Sequence, residues 1–230
     1  MRTHLQPLSR PAASIAYICS TLLFCLTVSS AFAAPAPQGN AARGAALYAT
    51  CAACHGPKAL GMQAMNAPPL AGQQSWYLNT QLSNFHSGAR GAHPKDVYGA
   101  QMKAMAQVAA QPQARADLLA HIATLPAPTA EQQRALEGGQ TVGGDATRGK
   151  SLYITCTSCH GPQGRGNQGL NSPAIHTLPS WYLLRQLRHF KAGIRGAHPK
   201  DPYGAQMKAM AMTLADAQAM KDVVAYILSL

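Results

Sequence analysis

Displaced by 105 positions, the chain matches itself, and no other feature narrows its fold so far. Arg43-Gly44 falls on Arg148-Gly149, and Leu47-Tyr48 on Leu152-Tyr153. Cys51-Ala-Ala-Cys54-His55-Gly56-Pro57 falls on Cys156-Thr-Ser-Cys159-His160-Gly161-Pro162, and Ser75-Trp76-Tyr77-Leu78 on Ser180-Trp181-Tyr182-Leu183. Gly91-Ala-His-Pro-Lys-Asp96 returns as Gly196-Ala-His-Pro-Lys-Asp201. Tyr98 to Ala106 returns unchanged as Tyr203 to Ala211, and the register still holds at Leu125 and Leu230 without a gap. A fixed offset kept this long means two copies of one module. The period exceeds that of a solenoid unit, so each copy is a small domain with its own core.

Two segments fall outside the repeat. At the start, Arg2 and Arg10 flank a polar stretch, an apolar run extends from Ile15 to Val28, and Ala31-Phe32-Ala33 follows. Basic region, short apolar region and A-x-A site together read as a signal peptide, residues 1–33, removed on export. The apolar run is too short for a membrane span. The second segment, 127–144, follows Pro126, continues through Ala130–Glu137, which suits one or two helical turns, and ends in paired glycines, as a linker does. The expected domains are therefore 34–126 and 145–230.

Within each module the apolar spacing is helical. Ala42, Ala45, Ala46, Leu47 and Ala49 lead into the first Cys; Trp76, Leu78, Leu82 and Phe85 recur at helical intervals, as do Trp181, Leu183, Leu184, Leu187 and Phe190. Gln113–Leu125 and Asp216–Leu230 read as closing helices, the second capped by Asp216. Alternating strand patterns are absent, so the expected class is all-α, with long loops rich in Gly and Pro. Aromatics make up 6% of the chain and much of the apolar 47% is Ala, which fills little volume. Domains of about 90 residues built this way struggle to bury enough surface alone. A large planar apolar cofactor solves that problem and gives the loops something to wrap.

The two Cys-x-x-Cys-His motifs supply the chemistry. Once the first 33 residues are removed, four cysteines remain: Cys51, Cys54, Cys156 and Cys159. Thiols at i and i+3 share one helical turn and reach two vinyl groups of a haem, while the next residue, His55 or His160, supplies an axial nitrogen to iron. A thioredoxin-like pair needs a βαβ setting, which is missing. A zinc site needs a fourth ligand and suits a ribbon rather than a helix. A disulfide across two residues is rare and strained. Two covalently bound haem c groups are the reading.

The sixth iron ligand separates electron transfer from catalysis. A Met thioether closes the site and raises the potential; an open position admits substrate. Met62 and Met65 face Asn167 and Leu170 in the other copy, so they cannot serve twice, and loop or core packing suits them. Met102 pairs with Met207, and Met105 with Met210, in identical stretches; spacing leaves open which of each pair ligates and which packs. His93 and His198 compete, though each sits beside a Pro in a loop. His86 and His189 face Lys191 and Asn84 across the repeat and read as solvated helix positions. Haem propionates need partners; Arg90/Arg195, Lys95/Lys200 and the indoles of Trp76/Trp181 are paired candidates.

With these residues in view, residues 40–230 resemble a dihaem class I cytochrome c of the cytochrome c4 type. The resemblance rests on both Cys-x-x-Cys-His motifs, Pro68-Pro69-Leu70-Ala71-Gly72-Gln73, Tyr77-Leu78, Gln81-Leu82, Phe85, Gly88, Arg90 and the Met-x-x-Met at 102–105. It implies two tandem cytochrome folds passing single electrons between respiratory partners in the periplasm, toward a terminal oxidase. It implies His/Met ligation of each iron, by His55 and Met102 and by His160 and Met207, and a carbonyl from Pro68 or Pro173 orienting each His. Two departures stand out. Ile175-His176-Thr177-Leu178-Pro179 replaces Leu70-Ala-Gly-Gln-Gln74, which unsettles the loop around the second haem. Tyr226 fits the family's closing-helix aromatic but the first copy has His121, which predicts a weaker first domain.

Arg2 and Arg10 carry the only charges of the first 33 residues, so the remainder holds 17 Lys+Arg against 8 Asp+Glu. Both modules are basic. Such a carrier is steered to redox proteins with acidic docking surfaces, a membrane-bound oxidase or dehydrogenase among them, or to an anionic membrane surface. Nothing resembles a nucleic-acid motif. The alternatives to a free carrier are the electron-transfer subunit of a periplasmic dehydrogenase and a dihaem peroxidase. The equivalence of Met102 and Met207 argues against the peroxidase, which needs one open iron.

Overall fold

The computed structural model describes residues 37–139 and 142–230. The expected signal peptide lies outside the described residues. Among those residues the chain is helical and has no strand, only isolated bridges at Met62–Ala67 and Asn167–Ser172. In the first half α1 spans Ala41–His55, α2 Ser75–Ser87, α3 Val97–Met105 and α4 Pro112–Thr124. A short helix, α5 (Ala130–Leu136), crosses the linker, and the second half repeats the order as α6 (Ala146–His160), α7 (Ser180–Lys191), α8 (Pro202–Met212) and α9 (Ala217–Ile227). The all-α expectation holds.

Local chemistry sets the helix ends. Asn40 caps α1 by accepting from Arg43 N, and Asp145 caps α6 by accepting from Thr147 N and Arg148 N. The buried carboxylates of Asp96 and Asp201 each accept a backbone N–H at 3.0 Å, from Gly99 and Gly204, and so start α3 and α8. Asp216 caps α9 as expected, accepting from Ala219 N at 2.8 Å. Thr129 and Gln132 form a reciprocal capping box on α5.

Each half is organised by one tight crossing, α1 on α4 and α6 on α9. A Cβ on Gly44 would stand 1.9 Å from the Asp117 carbonyl oxygen, and one on Gly149 1.9 Å from that of Asp222, so only glycine allows the approach. The same aspartates lock the crossing. Asp117 accepts from Asn40 N, from Gln113 and from the Arg43 guanidinium at 2.6 Å; Asp222 accepts from Asp145 N, Gln218 and Arg148. The bond from Arg43 holds the Asp117 carboxyl far below the usual carboxylate range. For Asp222 the backbone N–H of Asp145 is the largest cause of the same downward shift.

The cores differ in size. Tyr48, Leu78, Leu118, Leu119 and Ile122 pack with small alanines in the first half. The second packs Tyr153, Leu178, Tyr182, Leu183, Leu214, Met220, Val223, Val224 and Ile227. The closing-helix departure resolves simply: the His121 ring sits 5.3 Å from Tyr48, and Tyr226 sits 5.3 Å from Tyr153. The imidazole stands in the aromatic's place.

Candidate haem centres

Each half wraps its helices around one cleft. The first encloses about 1400 Å³ of space between atoms and the second about 1100 Å³, each partly continuous with solvent. Cys51, Cys54 and His55 line the first; Cys156 and His160 line the second, with Cys159 one helical turn on. All four cysteines lie in the last turns of α1 and α6, and none is in a disulfide. Burial pushes the Cys51 and Cys156 thiols up.

Both histidines are held in one tautomer. His55 Nδ1 donates to the Pro68 carbonyl at 2.8 Å, and His160 Nδ1 to that of Pro173 at 2.8 Å. A carbonyl can only accept, so Nε2 carries the lone pair, as a metal ligand requires. Burial pulls both imidazoles down and keeps them neutral. The proline carbonyls stand where the resemblance implied. Behind each motif a buried tyrosine ties the loop: Tyr48 donates to Gly56 O at 2.7 Å and Tyr153 to Gly161 O at 2.9 Å. Burial raises both phenols to about 12.

The methionines line the same two clefts as the histidines. Met102 and Met105 both line the first cleft, Met207 and Met210 the second. Met65 also lines the first, a place the repeat does not predict for it. His93 and His198 stay in their loops, each Nδ1 accepting from the N–H two residues on, and neither lines a cleft. The unsettled loop keeps its shape: Leu70 N donates to Ala59 O and Ile175 N to Gly164 O, both at 2.8 Å, and each side chain lines its own cleft.

The propionate candidates separate. Lys95 and Lys200 are exposed and line neither cleft. Trp181 donates its indole N–H to Leu136 O in the linker helix, at 3.0 Å, which removes it from the candidates. Arg90 and Arg195 are buried, and each lines its own cleft. They form a nearly two-fold network across the two halves. Arg90 donates to Gln81, Gln186 and Tyr182; Arg195 donates to Gln186, Gln81 and Tyr77. Burial alone would raise the Tyr182 phenol, but Arg90, Arg195 and Arg185 outweigh it and hold it below its usual range. Even so, Arg90 Nε and Arg195 Nε are buried without a partner. Two orphaned cationic donors, one per cleft, call for carboxylates such as a haem's, and so the residues fit the group.

His189 corrects an expectation. It is not solvated: its ring lies 3.6 Å from the Asp96 carboxylate of the other half. Burial lowers its pKa, with Asp96 opposing. At the matching place Asn84 donates to Asp201 at 3.3 Å.

A bare metal ion would want a cluster of Cys, His, Asp and Glu side chains, and no group of three suited to one occurs among the described residues. What fits twice over is a flat apolar macrocycle tethered by paired thiols, which makes the chain a c-type cytochrome with two centres. The family model for cytochrome c matches residues 41–126 and again 146–230, and the chain belongs to the cytochrome c family. Cytochrome c4 of Azotobacter vinelandii is 32% identical over 164 residues, 68% of this chain and 75% of that one. A thiosulfate dehydrogenase electron acceptor of Stutzerimonas stutzeri (strain A1501) is 32% identical over 185 residues, 75% and 82% of the two chains. The crystal structure of reduced recombinant cytochrome c4 from Pseudomonas stutzeri superposes with a TM-score of 0.62 at 25% identity, covering 84% of this chain and 99% of that one. The chain is a dihaem electron-transfer cytochrome of the c4 type, with its two haem c groups held at Cys51/Cys54 and Cys156/Cys159.

Proposed function

We propose that Met102 and Met207 would bind the irons together with His55 and His160, and that Arg90 Nε and Arg195 Nε would hold the propionates. The observation that carries this reading is the duplicated cleft, each copy lined by a neutral imidazole and by a Met pair at matching positions. When bound, each haem supplies a one-electron ferric/ferrous couple. The chain's own groups would hold it: the proline carbonyls orient the imidazoles, the thioethers would leave no position for substrate, and the apolar walls would shield the group from water.

The site of action is the periplasm, reached by way of the signal peptide at 1–33, and the domains run 34–126 and 145–230 on either side of the linker. The basic surface steers the carrier to acidic docking faces, on a terminal oxidase and on an electron-donating dehydrogenase. The relative that bears the name of an electron acceptor for thiosulfate dehydrogenase supports a dehydrogenase as donor.

Two measurements test the reading. Haem content and mass of the periplasmic protein should give two covalent haems on a chain starting near residue 34. Stopped-flow reduction by an acidic donor should slow steeply as salt rises; a rate indifferent to salt would sink the docking claim.

A further inference from the structure

We propose that Arg185, reaching from the second half into the first haem's cleft, makes the first haem the higher-potential centre and so the one that holds the electron in the half-reduced protein. The inference rests on the haem reading above.

The near symmetry of the interface is what isolates this residue. Both clefts contain one buried arginine and one buried aspartate at matching positions, Arg90 and Asp96 in the first, Arg195 and Asp201 in the second. Tyr77, Gln81, Tyr182 and Gln186 line both. The extra charge is Arg185, which lines the first cleft, while its counterpart in the repeat, Thr80, lines the second. Thr80 turns its hydroxyl back on its own helix, donating to Trp76 O at 3.0 Å.

Arg185 is anchored without a direct carboxylate partner. Its Nη1 donates to Asn66 Oδ1 at 2.8 Å and its Nη2 to Asn66 O at 2.9 Å, in the loop wall of the first half. The guanidinium lies over Tyr98 at 4.7 Å, Trp181 at 5.2 Å and Tyr182 at 5.5 Å. Among the described residues it makes no ion pair with a carboxylate. Its partners are neutral acceptors and ring faces, which hold a cation without neutralising it. A fixed positive charge favours the ferrous state of the nearer iron, since reduction there removes one unit of positive charge. For scale, a unit charge about 10 Å from any one-electron centre, at an effective dielectric near 20, shifts its equilibrium by about tenfold. Screening takes it downward from there, and the more distant second haem feels less.

The test follows the partition of one electron between the haems during a reductive titration of the full chain. The paramagnetically shifted haem methyl signals report each centre, assigned by through-space contacts to Leu70 or Ile175. In the unaltered protein the first haem should reduce first. Arg185→Gln should move the partition several-fold, at most about tenfold, toward the second haem, a change of up to about 59 mV in the gap for one-electron couples. Arg185→Lys keeps the charge but loses the planar fork, and it should keep most of the gap. Thr80→Arg, which gives the second cleft its own cation, should also move the electron toward the second haem. An unchanged gap in Arg185→Gln, an equal displacement of both haems, or a loss in Arg185→Lys as large as in Arg185→Gln would each overturn the proposal. A protein without two haem signal sets would overturn the cofactor reading and this inference with it; absorption tells that failure apart before any titration.

Discussion

The two interface helices occupy matching places, yet α2 carries Thr80, Ser83, Asn84 and His86 where α7 carries Arg185, Arg188, His189 and Lys191. Of these, Arg185 and His189 reach the first half, at Asn66 and at Asp96, whereas Lys191 donates to Leu214 O of its own half. The linker adds to the imbalance. Glu137 accepts from the Ser180 N–H at 2.8 Å and from the Ser180 hydroxyl, capping α7 from outside, while the N-cap of α2, Gln74, makes no capping bond with its side chain. What the pair teaches is that duplication fixes the haem clefts, while the difference between the copies resides at their junction. The clefts should respond alike to mutation and the junction should not.

The strongest test of likeness is the iron ligand. Met102→Ala and Met207→Ala should each open one haem, so that the ferric protein takes up about one cyanide per variant where the parent takes none, with a fall in that haem's potential. Optical titration with cyanide reads this directly. If Met105→Ala or Met210→Ala opens the site instead, the choice within the pair is wrong. A response in one half only would break the equivalence and favour an enzyme with one displaceable ligand.

Next in size is the helix crossing. Gly44→Ala and Gly149→Ala each drive a methyl into a backbone oxygen that cannot retreat without parting the two helices. The expected cost is about 3 kcal/mol in either half, at the upper end for overpacking, measured by denaturant unfolding of the holoprotein. Because the first half has the smaller aliphatic core, Gly44→Ala should be the variant that loses haem contacts at lower denaturant.

Much of this was legible in the sequence. The repeat located both clefts, and motif chemistry located the thiols and imidazoles. The resemblance supplied the Pro68 and Pro173 carbonyls, which stand at hydrogen-bonding distance. What stayed hidden shares one physical cause. Matching a residue to its copy says nothing about which residue of the other copy it touches. His189 looked solvated because its helix was taken alone, and Arg185 carried no signal in the repeat; packing of one half on the other partly buries both. Trp181 looked free for a propionate because the linker was read as a spacer, whereas α5 folds back and takes its indole N–H. Gln81 and Gln186 were visible as a matched pair, but their bridging of two arginines needs both halves at once.

Acid stability sharpens the comparison at the crossings. Asp117 and Asp222 both have carboxyls held below their ordinary range in the folded chain. A depressed folded pKa gives stability that is complete above the unfolded value of about 3.9 and drains away as pH falls toward the folded value. The parent should therefore lose stability steadily below about pH 4. Asp117→Asn and Asp222→Asn should be less stable at neutral pH and flatter in that acid window. Thermal melts between neutral pH and pH 2.5 check the slope. A variant as steep as the parent would remove that aspartate from the account.

The smallest effect concerns the one place where the halves swap an aromatic for an imidazole. His121 and Tyr226 sit at the same distance from Tyr48 and Tyr153, and both are partly open to solvent. A tyrosine at 121 has room for its longer ring to reach water while covering more of Tyr48. His121→Tyr should stabilise the first half by about 0.5–1 kcal/mol, the usual worth of such a ring pair beyond its area, and Tyr226→His should weaken the second by a similar amount. Denaturant unfolding followed at each haem separately reads the two halves apart. If His121→Tyr leaves the first half unmoved, the imidazole already fills the aromatic's role, and the expectation of a weaker first half then rests on its alanine-rich core alone.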